Sequence, residues 1–170
     1  EWTTNSSGTS NLYATIDEAT ASDSDYIQYN SSWSDSTSTV RFTLSDISAP
    51  SDLSTVKVVF RSKAYQAWST AIDGRVYLYQ GSTSIATKDY DNASQWGGSS
   101  FTTIDSFTLT STEAGNITDW TDLELRFSNF DNQGTGSYIY ISQAYLEAGD
   151  AGGSSTALPM AMNTYRQMRN

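Results

Sequence analysis

The chain contains no histidine and no cysteine. The lack of histidine excludes Ser-His-Asp triads and every metal site that needs an imidazole ligand. The lack of cysteine excludes thiol nucleophiles, thiolate zinc sites and disulfide bonds. Carboxylates remain for catalysis and, in unusual arrangements, lysine, tyrosine and serine. A protein that is not an enzyme is therefore the leading expectation.

Basic residues are also scarce. The 170 residues include nine lysine or arginine residues against nineteen acidic ones, which gives a net charge of -10. Because phosphate backbones are bound mainly through lysine and arginine, we expect no nucleic-acid partner. The same balance disfavours an anionic membrane surface, and no stretch approaches the ~18 apolar residues that a membrane-spanning helix needs. We therefore expect no membrane partner either.

The residues that are plentiful favour β structure, since aromatic residues make up 13% of the chain and serine and threonine are frequent. In residues 39–44, Val40, Phe42 and Leu44 alternate with polar residues, as in a half-buried strand. Similar patterns predict strands at 12–16, 25–29, 39–44, 55–63, 75–80, 84–88, 102–109, 122–128 and 137–147. The sequence therefore predicts an all-β fold, an antiparallel β-sandwich that is jelly-roll-like and has an extended C-terminal tail.

Turn and helix signals complete this prediction. Gly81 and Ser82 separate two predicted strands and indicate a hairpin. Residues 111–118 could form a single helical turn capped by Ser111 or Thr112. We expect no other helix before the tail.

The C-terminal residues differ from the rest in charge, so we divide the chain into a β-sandwich domain (1–149) and a tail (150–170). Residues 152–155 have the composition of a flexible linker, and a basic arm rich in methionine follows. The arm is either a frayed terminus or a docking segment for a neighbouring subunit. Its candidate assembly contacts are Met160, Met162, Tyr165, Arg166, Met168 and Arg169.

Carboxylate pairs are the remaining candidates for chemistry. A glycosidase needs two carboxylates that flank a sugar. The candidate pairs are Asp17 with Glu18, Asp23 with Asp25, and Asp119 with Asp122. In so acidic a chain such pairs arise by chance, so we interpret them as solvated loop residues. We expect no cofactor other than, as an open alternative, a calcium ion. Its candidate ligands are Asp23, Asp25, Asp89 and Asp91, although no segment matches an EF-hand loop.

Sugar binding is a further hypothesis, because aromatic rings can stack on the apolar face of a sugar. The candidate glycan contacts are Trp33, Trp68 and Trp96, which we place in or near loops. Tyr77 and Tyr79 share one strand face, and Tyr138 and Tyr140 share another. The alternative is that tyrosine lines these strands because of its high β propensity.

Eight segments, taken in their order along the chain, carry a resemblance to a known protein family. They are Trp2, LYATIDE at 12–18, SDSDYI at 22–27, FTLSD at 42–46, VVFRSKA at 58–64, VYLYQGSTSIAT at 76–87, ITDWTDLELRFS at 117–128 and YISQAYLEAG at 140–149. This order resembles that of a β-sandwich structural domain of tailed-bacteriophage and related viral virion proteins. The resemblance covers most of residues 2–149 and leaves the tail unmatched.

The resemblance implies a decoration, head-fibre or tail-associated role and brings no catalytic residues with it. The expected location is the virion surface or the extracellular space. The expected partners are other virion structural proteins, together with self-association through exposed strand edges and, as a further possibility, glycans. The alternative function is a carbohydrate-binding module or receptor-binding domain of an extracellular protein.

Overall fold

A computed structural model of the protein describes residues 2–5, 8–30, 38–65, 72–129, 137–150 and 153–159. The strands in these ranges are β1 (Trp2–Thr4), β2 (Ile27–Asn30), β3 (Ser38–Thr43), β4 (Lys57–Tyr65), β5 (Gly74–Gln80), β6 (Thr83–Tyr90), β7 (Thr102–Thr108), β8 (Leu123–Asn129), β9 (Tyr138–Asp150) and β10 (Gly153–Ala157). One short helix, α1 (Ser111–Gly115), and 3-10 helices at Leu12–Thr15, Leu53–Thr55 and Ala93–Trp96 accompany them.

The strands form two antiparallel sheets. The six-stranded sheet has the order β1-β2-β9-β4-β7, with β10 also paired to β9, and the four-stranded sheet has the order β3-β8-β5-β6. The pairs β5–β6, β4–β7, β3–β8 and β2–β9 nest within one another along the chain. The predicted all-β antiparallel sandwich is confirmed. Its jelly-roll-like order stays a prediction, which this nesting favours.

Alternating side chains build a core between the two sheets. In β4, Val58 and Phe60 are fully buried, whereas Arg61 and Lys63 lie on the opposite side of the strand. The Phe60 ring meets Phe127 of the four-stranded sheet edge to face, with ring centroids 5.6 Å apart. Burying one such ring contributes about 1.5–3 kcal/mol. The two sheets therefore depend on one shared core.

The predicted hairpin at Gly81 is confirmed. Strands β5 and β6 pair from Gly74 opposite Tyr90 to Gln80 opposite Thr83. Gly81 has a φ of 54°, a left-handed conformation that glycine adopts without strain. The turn fixes the register of β5, and with it the side on which Tyr77 and Tyr79 lie.

The strand predicted at 12–16 is wrong, because Leu12–Thr15 form a 3-10 helix. Leu12, Thr15 and Ile16 are buried while Ala14 is exposed. Buried positions at i, i+3 and i+4 are the spacing of a helical turn, not of a strand. Leu12, Ala14 and Ile16 also alternate as in a strand, so the sequence fits both patterns and the strand was the wrong one of the two.

The helix predicted within 111–118 is confirmed, but its cap lies one residue earlier. Thr110 accepts a hydrogen bond from the Glu113 backbone N–H at 3.2 Å, and the Glu113 carboxylate accepts one from the Thr110 backbone N–H at 2.8 Å. This reciprocal pair is a capping box. The expectation of no other helix before the tail is wrong because of the three 3-10 helices. In the described ranges, the five residues of α1 fall far short of a membrane-crossing helix, and no other helix is long and apolar enough.

The flexible linker predicted at 152–155 is wrong for residues 153–155, which belong to β10 and pair with β9. Ala157 is fully buried, and the Ser45 backbone N–H donates to the Leu158 carbonyl at 2.7 Å. Pro159 forms an isolated bridge with Leu44, next to β3 of the other sheet. The packed body therefore continues past the predicted boundary after Gly149 and reaches Pro159.

Candidate functional site

The outer face of the six-stranded sheet carries a row of aromatic rings around one lysine. Strands β4 and β9 place Lys63 opposite Tyr140 and Tyr65 opposite Tyr138. Ala64 and Ile139, which alternate with these residues, are buried in the core, so the row lies on the outer side of the sheet. We call the whole group the tyrosine face, which consists of Tyr26, Lys63, Tyr65, Phe101, Tyr138 and Tyr140.

Each ring of the tyrosine face contacts the next ring along the row. Tyr65 lies 6.3 Å from Tyr138, and Tyr138 lies 5.9 Å from Tyr140 with only 24° between the ring planes. Tyr26 meets Tyr140 edge to face at 5.3 Å and also lies 5.8 Å from Phe101. Each such pair contributes about 0.5–1.5 kcal/mol beyond its buried area. The contacts therefore hold the rings in fixed relative positions.

Exposure differs along the row. Tyr65 is 58% exposed, and within the described ranges no other large hydrophobic residue is exposed. Tyr26, Phe101, Tyr138 and Tyr140 are partly exposed. Burial raises the pKa of Tyr140, and the neighbouring phenols Tyr26, Tyr138 and Tyr65 add to this effect. Its hydroxyl therefore stays protonated at neutral pH and can donate a hydrogen bond.

Lys63 lies among three of these rings. Its Nζ is 4.5 Å from the ring centroid of Phe101, 4.7 Å from that of Tyr140 and 5.5 Å from that of Tyr26. A cation over an aromatic ring is attracted by the electrons of the ring face. The three contacts fix the ammonium group within the aromatic row.

A fork between Arg61 and Asp23 borders the tyrosine face. Arg61 donates from Nε and from Nη2 to the two carboxylate oxygens of Asp23, both at 2.7 Å. The Ser142 hydroxyl lies 3.3 Å from Asp23 Oδ1 and donates to it. The hydrogen bonds from Arg61 lower the pKa of Asp23, so the carboxylate stays ionised well into the acidic range. This border is polar but electrically balanced.

The outer face of the four-stranded sheet also carries two tyrosines, but arginines cover them. The Arg126 guanidinium lies 3.4 Å from the ring centroid of Tyr79 and forms an ion pair with Glu124. Arg75 lies 5.6 Å from the ring centroid of Tyr77 and forms a fork with Asp89. The predictions that Tyr77 and Tyr79 share one face and that Tyr138 and Tyr140 share another are confirmed. Only the second pair belongs to a continuous aromatic row.

Among the candidate carboxylates, those of Asp119 and Asp23 make structural contacts. Asp119 accepts hydrogen bonds from the backbone N–H and the hydroxyl of Thr121, at 2.9 and 2.7 Å, and so closes a turn. The backbone carbonyl of Glu18 accepts a hydrogen bond from Gln143 at 2.7 Å. Burial raises the pKa of the Glu18 carboxyl, and the nearby charges of Asp17 and Asp25 raise it further.

The calcium hypothesis receives no support from the part of the chain that the structure describes, which holds no group of three acidic side chains placed to bind a metal. Of its candidate ligands, Asp23 is bound by Arg61, and Asp89 is bound by Arg75. Hydrogen bonds from Arg75 lower the pKa of Asp89. Arginine therefore neutralises two of the four candidate calcium ligands.

Trp96, a predicted glycan contact, is fully buried, so its ring is not available to a sugar. It ends the 3-10 helix Ala93–Trp96 and packs against Tyr90 at 4.9 Å and Phe60 at 5.6 Å. A Cβ on Gly74 would lie 2.6 Å from its ring, which explains why a glycine begins β5. The polar residues around Trp96 in the sequence suggested a loop, but the short helix turns the ring into the core.

Several other predicted site residues lie outside the described residues. These are the glycan candidates Trp33 and Trp68 and the assembly candidates Met160, Met162, Tyr165, Arg166, Met168 and Arg169. They stay predictions. Sequence reasoning missed Tyr26, Lys63, Tyr65 and Phe101. The register of β4 with β9 brings Lys63 and Tyr65 beside Tyr138 and Tyr140, and Tyr26 and Phe101 join them from the residues just before β2 and β7.

Comparisons of the chain with protein-family models, with curated proteins and with solved structures found no match.

Proposed function

We propose that this chain is a non-enzymatic structural domain on the exterior of a virus particle. The observation that carries the proposal is the nested pairing of β2 with β9, β3 with β8, β4 with β7 and β5 with β6. Sandwiches built from such nested strands include the jelly rolls of viral capsid and lectin domains. A fold can host many functions, so the proposal also rests on the charge of the chain and on its sequence resemblance.

The net negative charge of the chain supports a role in which many copies of the domain face solvent close together. The net charge of -10 makes copies of the chain repel one another, which favours solubility. The order of segments between Trp2 and Gly149 resembles virion sandwich domains, and this resemblance supplies the viral part of the proposal.

The C-terminal region supports attachment to neighbouring subunits. The Ser45–Leu158 hydrogen bond and the Leu44–Pro159 bridge hold the chain firmly just before residue 160. Residues 160–170 contain Arg166 and Arg169, no acidic residue and three methionines. A basic, methionine-rich arm on an acidic body fits a role in docking to an adjacent protein surface.

Immunoelectron microscopy tests the location. Gold-labelled antibodies raised against the folded domain should bind to the outside of intact particles prepared from the source of this sequence. Pre-immune antibodies provide the matched control and should leave the particles bare. Particles without label, in a preparation whose soluble fraction contains the protein, would contradict the proposal.

Truncation tests the arm. A chain that ends at Pro159 keeps β10 and the bridge to Leu44, so it should fold with an unchanged melting temperature but fail to join particles. A chain that ends at Gly149 is the informative comparison, because it also removes the buried Ala157 and should lose stability. Full incorporation of the 1–159 chain would show that the arm does not anchor the domain.

A further inference from the structure

The tyrosine face has the chemical character of a sugar-binding surface. A pyranose ring has an apolar face of C–H groups and a rim of hydroxyl groups, so it binds best where aromatic rings and hydrogen-bonding groups alternate. Tyr65, Tyr138 and Tyr140 form a continuous row of rings across two paired strands. Their hydroxyl groups can donate and accept hydrogen bonds along the same surface.

Charged groups complete the set of contacts. The Lys63 ammonium is fixed among three rings and makes no ion pair with any residue of the described ranges, whereas Arg61 beside it is paired with Asp23. An ammonium group has three donors, and an ionised carboxylate accepts hydrogen bonds. Sugar hydroxyls on the rim of a stacked ring could therefore bind Lys63 on one side and Asp23 on the other.

We propose that the tyrosine face binds an uncharged carbohydrate chain, which stacks on Tyr65 and Tyr138 and hydrogen-bonds to Lys63. This site goes beyond the structural role proposed above and does not depend on it.

The charge distribution favours a neutral ligand. The net charge of -10 repels sulfated, sialylated or other polyanionic glycans. Within the described ranges Asp23 is paired with Arg61, and Lys63 has no ion-pair partner, so a cationic ligand would meet the positive charge of Lys63 at the face itself. An uncharged sugar chain avoids both penalties and still uses the rings and the donors.

The size of the face favours a sugar over a second copy of the chain. A stable protein interface buries about 800 Å² on each partner. Five aromatic rings, four of which are already partly buried, present on the order of a few hundred Å². That area suits a few sugar units better than a protein.

Affinity electrophoresis of the full chain tests the proposal. Native gels would contain soluble β-glucan, xylan or galactomannan as neutral probes, with heparin and alginate as polyanionic probes. We expect at least one neutral probe to slow the protein. Tyr65→Ala should weaken that binding about tenfold or more, because it removes the most exposed ring of the row.

Two further variants make the result specific. Tyr65→Phe keeps the ring and should bind within about twofold of the original chain, which separates ring stacking from hydroxyl contacts. The double change Tyr77→Ala and Tyr79→Ala removes two partly exposed tyrosines from the other sheet and should leave binding unchanged. Thermal unfolding of each variant checks that it remains folded. Because Tyr65 is 58% exposed, we expect its variants to fold as the original chain does.

Four outcomes would overturn the proposal. The first is a mobility that none of the neutral polysaccharides changes, and the second is retardation by heparin or alginate alone. The third is undiminished binding by folded Tyr65→Ala. The fourth is a concentration-dependent dimer that Tyr65→Ala dissociates, as measured by light scattering, which would assign the face to a second copy of the chain.

Discussion

The two outer faces of this sandwich use the same residue types with opposite results. On the four-stranded sheet, Arg126 covers Tyr79 and Arg75 lies over Tyr77, and a carboxylate pairs with each arginine. On the six-stranded sheet five rings form a continuous row, and Tyr65 remains largely exposed. Arginines held in ion pairs therefore lie over Tyr77 and Tyr79, whereas the six-stranded sheet presents the largely exposed Tyr65 beside Lys63, which has no ion pair within the described ranges. Tyrosine in a strand is not by itself a sign of recognition, and its neighbours across the sheet decide what it can do.

The largest expected effect comes from the core that both faces share. Phe60→Ala removes the ring that contacts Phe127, Tyr90 and Trp96 and should destabilise the domain by about 3–5 kcal/mol. Urea unfolding followed by tryptophan fluorescence measures this loss. Phe60→Leu keeps most of the volume and should cost clearly less. A loss below about 1 kcal/mol for Phe60→Ala would show that the sheets do not depend on this contact.

The covered face should be more sensitive to loss of an arginine than the border of the open face. Arg126→Ala removes the group stacked on Tyr79 and leaves Glu124 without its partner, where these two side chains are only 13% and 16% exposed. We expect a loss of about 1–3 kcal/mol.

Arg61→Ala is the matched comparison. It breaks the fork to Asp23, but the Asp23 side chain is 45% exposed, so the loss should stay below about 1 kcal/mol. Equal losses for the two variants, measured by the same urea titration, would mean that the two faces do not differ in this respect.

The lysine of the tyrosine face should contribute modestly to stability. Lys63→Met keeps an unbranched side chain but removes the charge that contacts Phe101, Tyr140 and Tyr26. We expect a loss of about 0.5–1 kcal/mol, measured by thermal unfolding at low and high salt. Lys88→Met, on the exposed edge strand β6, is the control and should cost less. A gain in stability on removing Lys63 would contradict the cation–π contacts.

The smallest effect should appear in acid. Arg61 lowers the pKa of Asp23 in the folded state, so the pair stabilises the fold at and above the ordinary carboxyl pKa, and that stability is lost as the pH falls through the lowered pKa. Because the pair is partly exposed, its contribution stays below about 1 kcal/mol. The original chain should therefore lose slightly more stability between pH 5 and pH 2 than Asp23→Asn does. An equal loss in both proteins would remove this pair from the explanation of acid sensitivity.

The alternation of side chains made the strands and the outer faces predictable. Tyr138 and Tyr140 could be placed on one side of β9 because a strand repeats every second residue. Their partners could not, because Lys63 and Tyr65 lie more than seventy positions earlier and meet them only through the register of β4 with β9. Local patterns give the face of a strand but do not give its neighbour.

The other wrong predictions, a linker at residues 153–155 and an exposed ring at Trp96, both came from polar neighbouring residues. Gly153, Ser154 and Ser155 have the composition of a linker, but β9 extends to Asp150 and offers them an edge on which to pair. Trp96 stands among serines and glycines, but a 3-10 helix directs its ring inward. In both places a tertiary contact outweighed the local preference.

Chemical mapping of tyrosine accessibility tests the difference between the two faces most directly. Nitration of the folded chain with tetranitromethane, followed by mass spectrometry of its peptides, ranks the tyrosines by their rate of reaction. Among the tyrosines of the described ranges, we expect Tyr65 to react first and Tyr79, under the Arg126 guanidinium, to react much more slowly. Reaction of Tyr79 at the rate of Tyr65 would contradict the distinction between an open and a covered face.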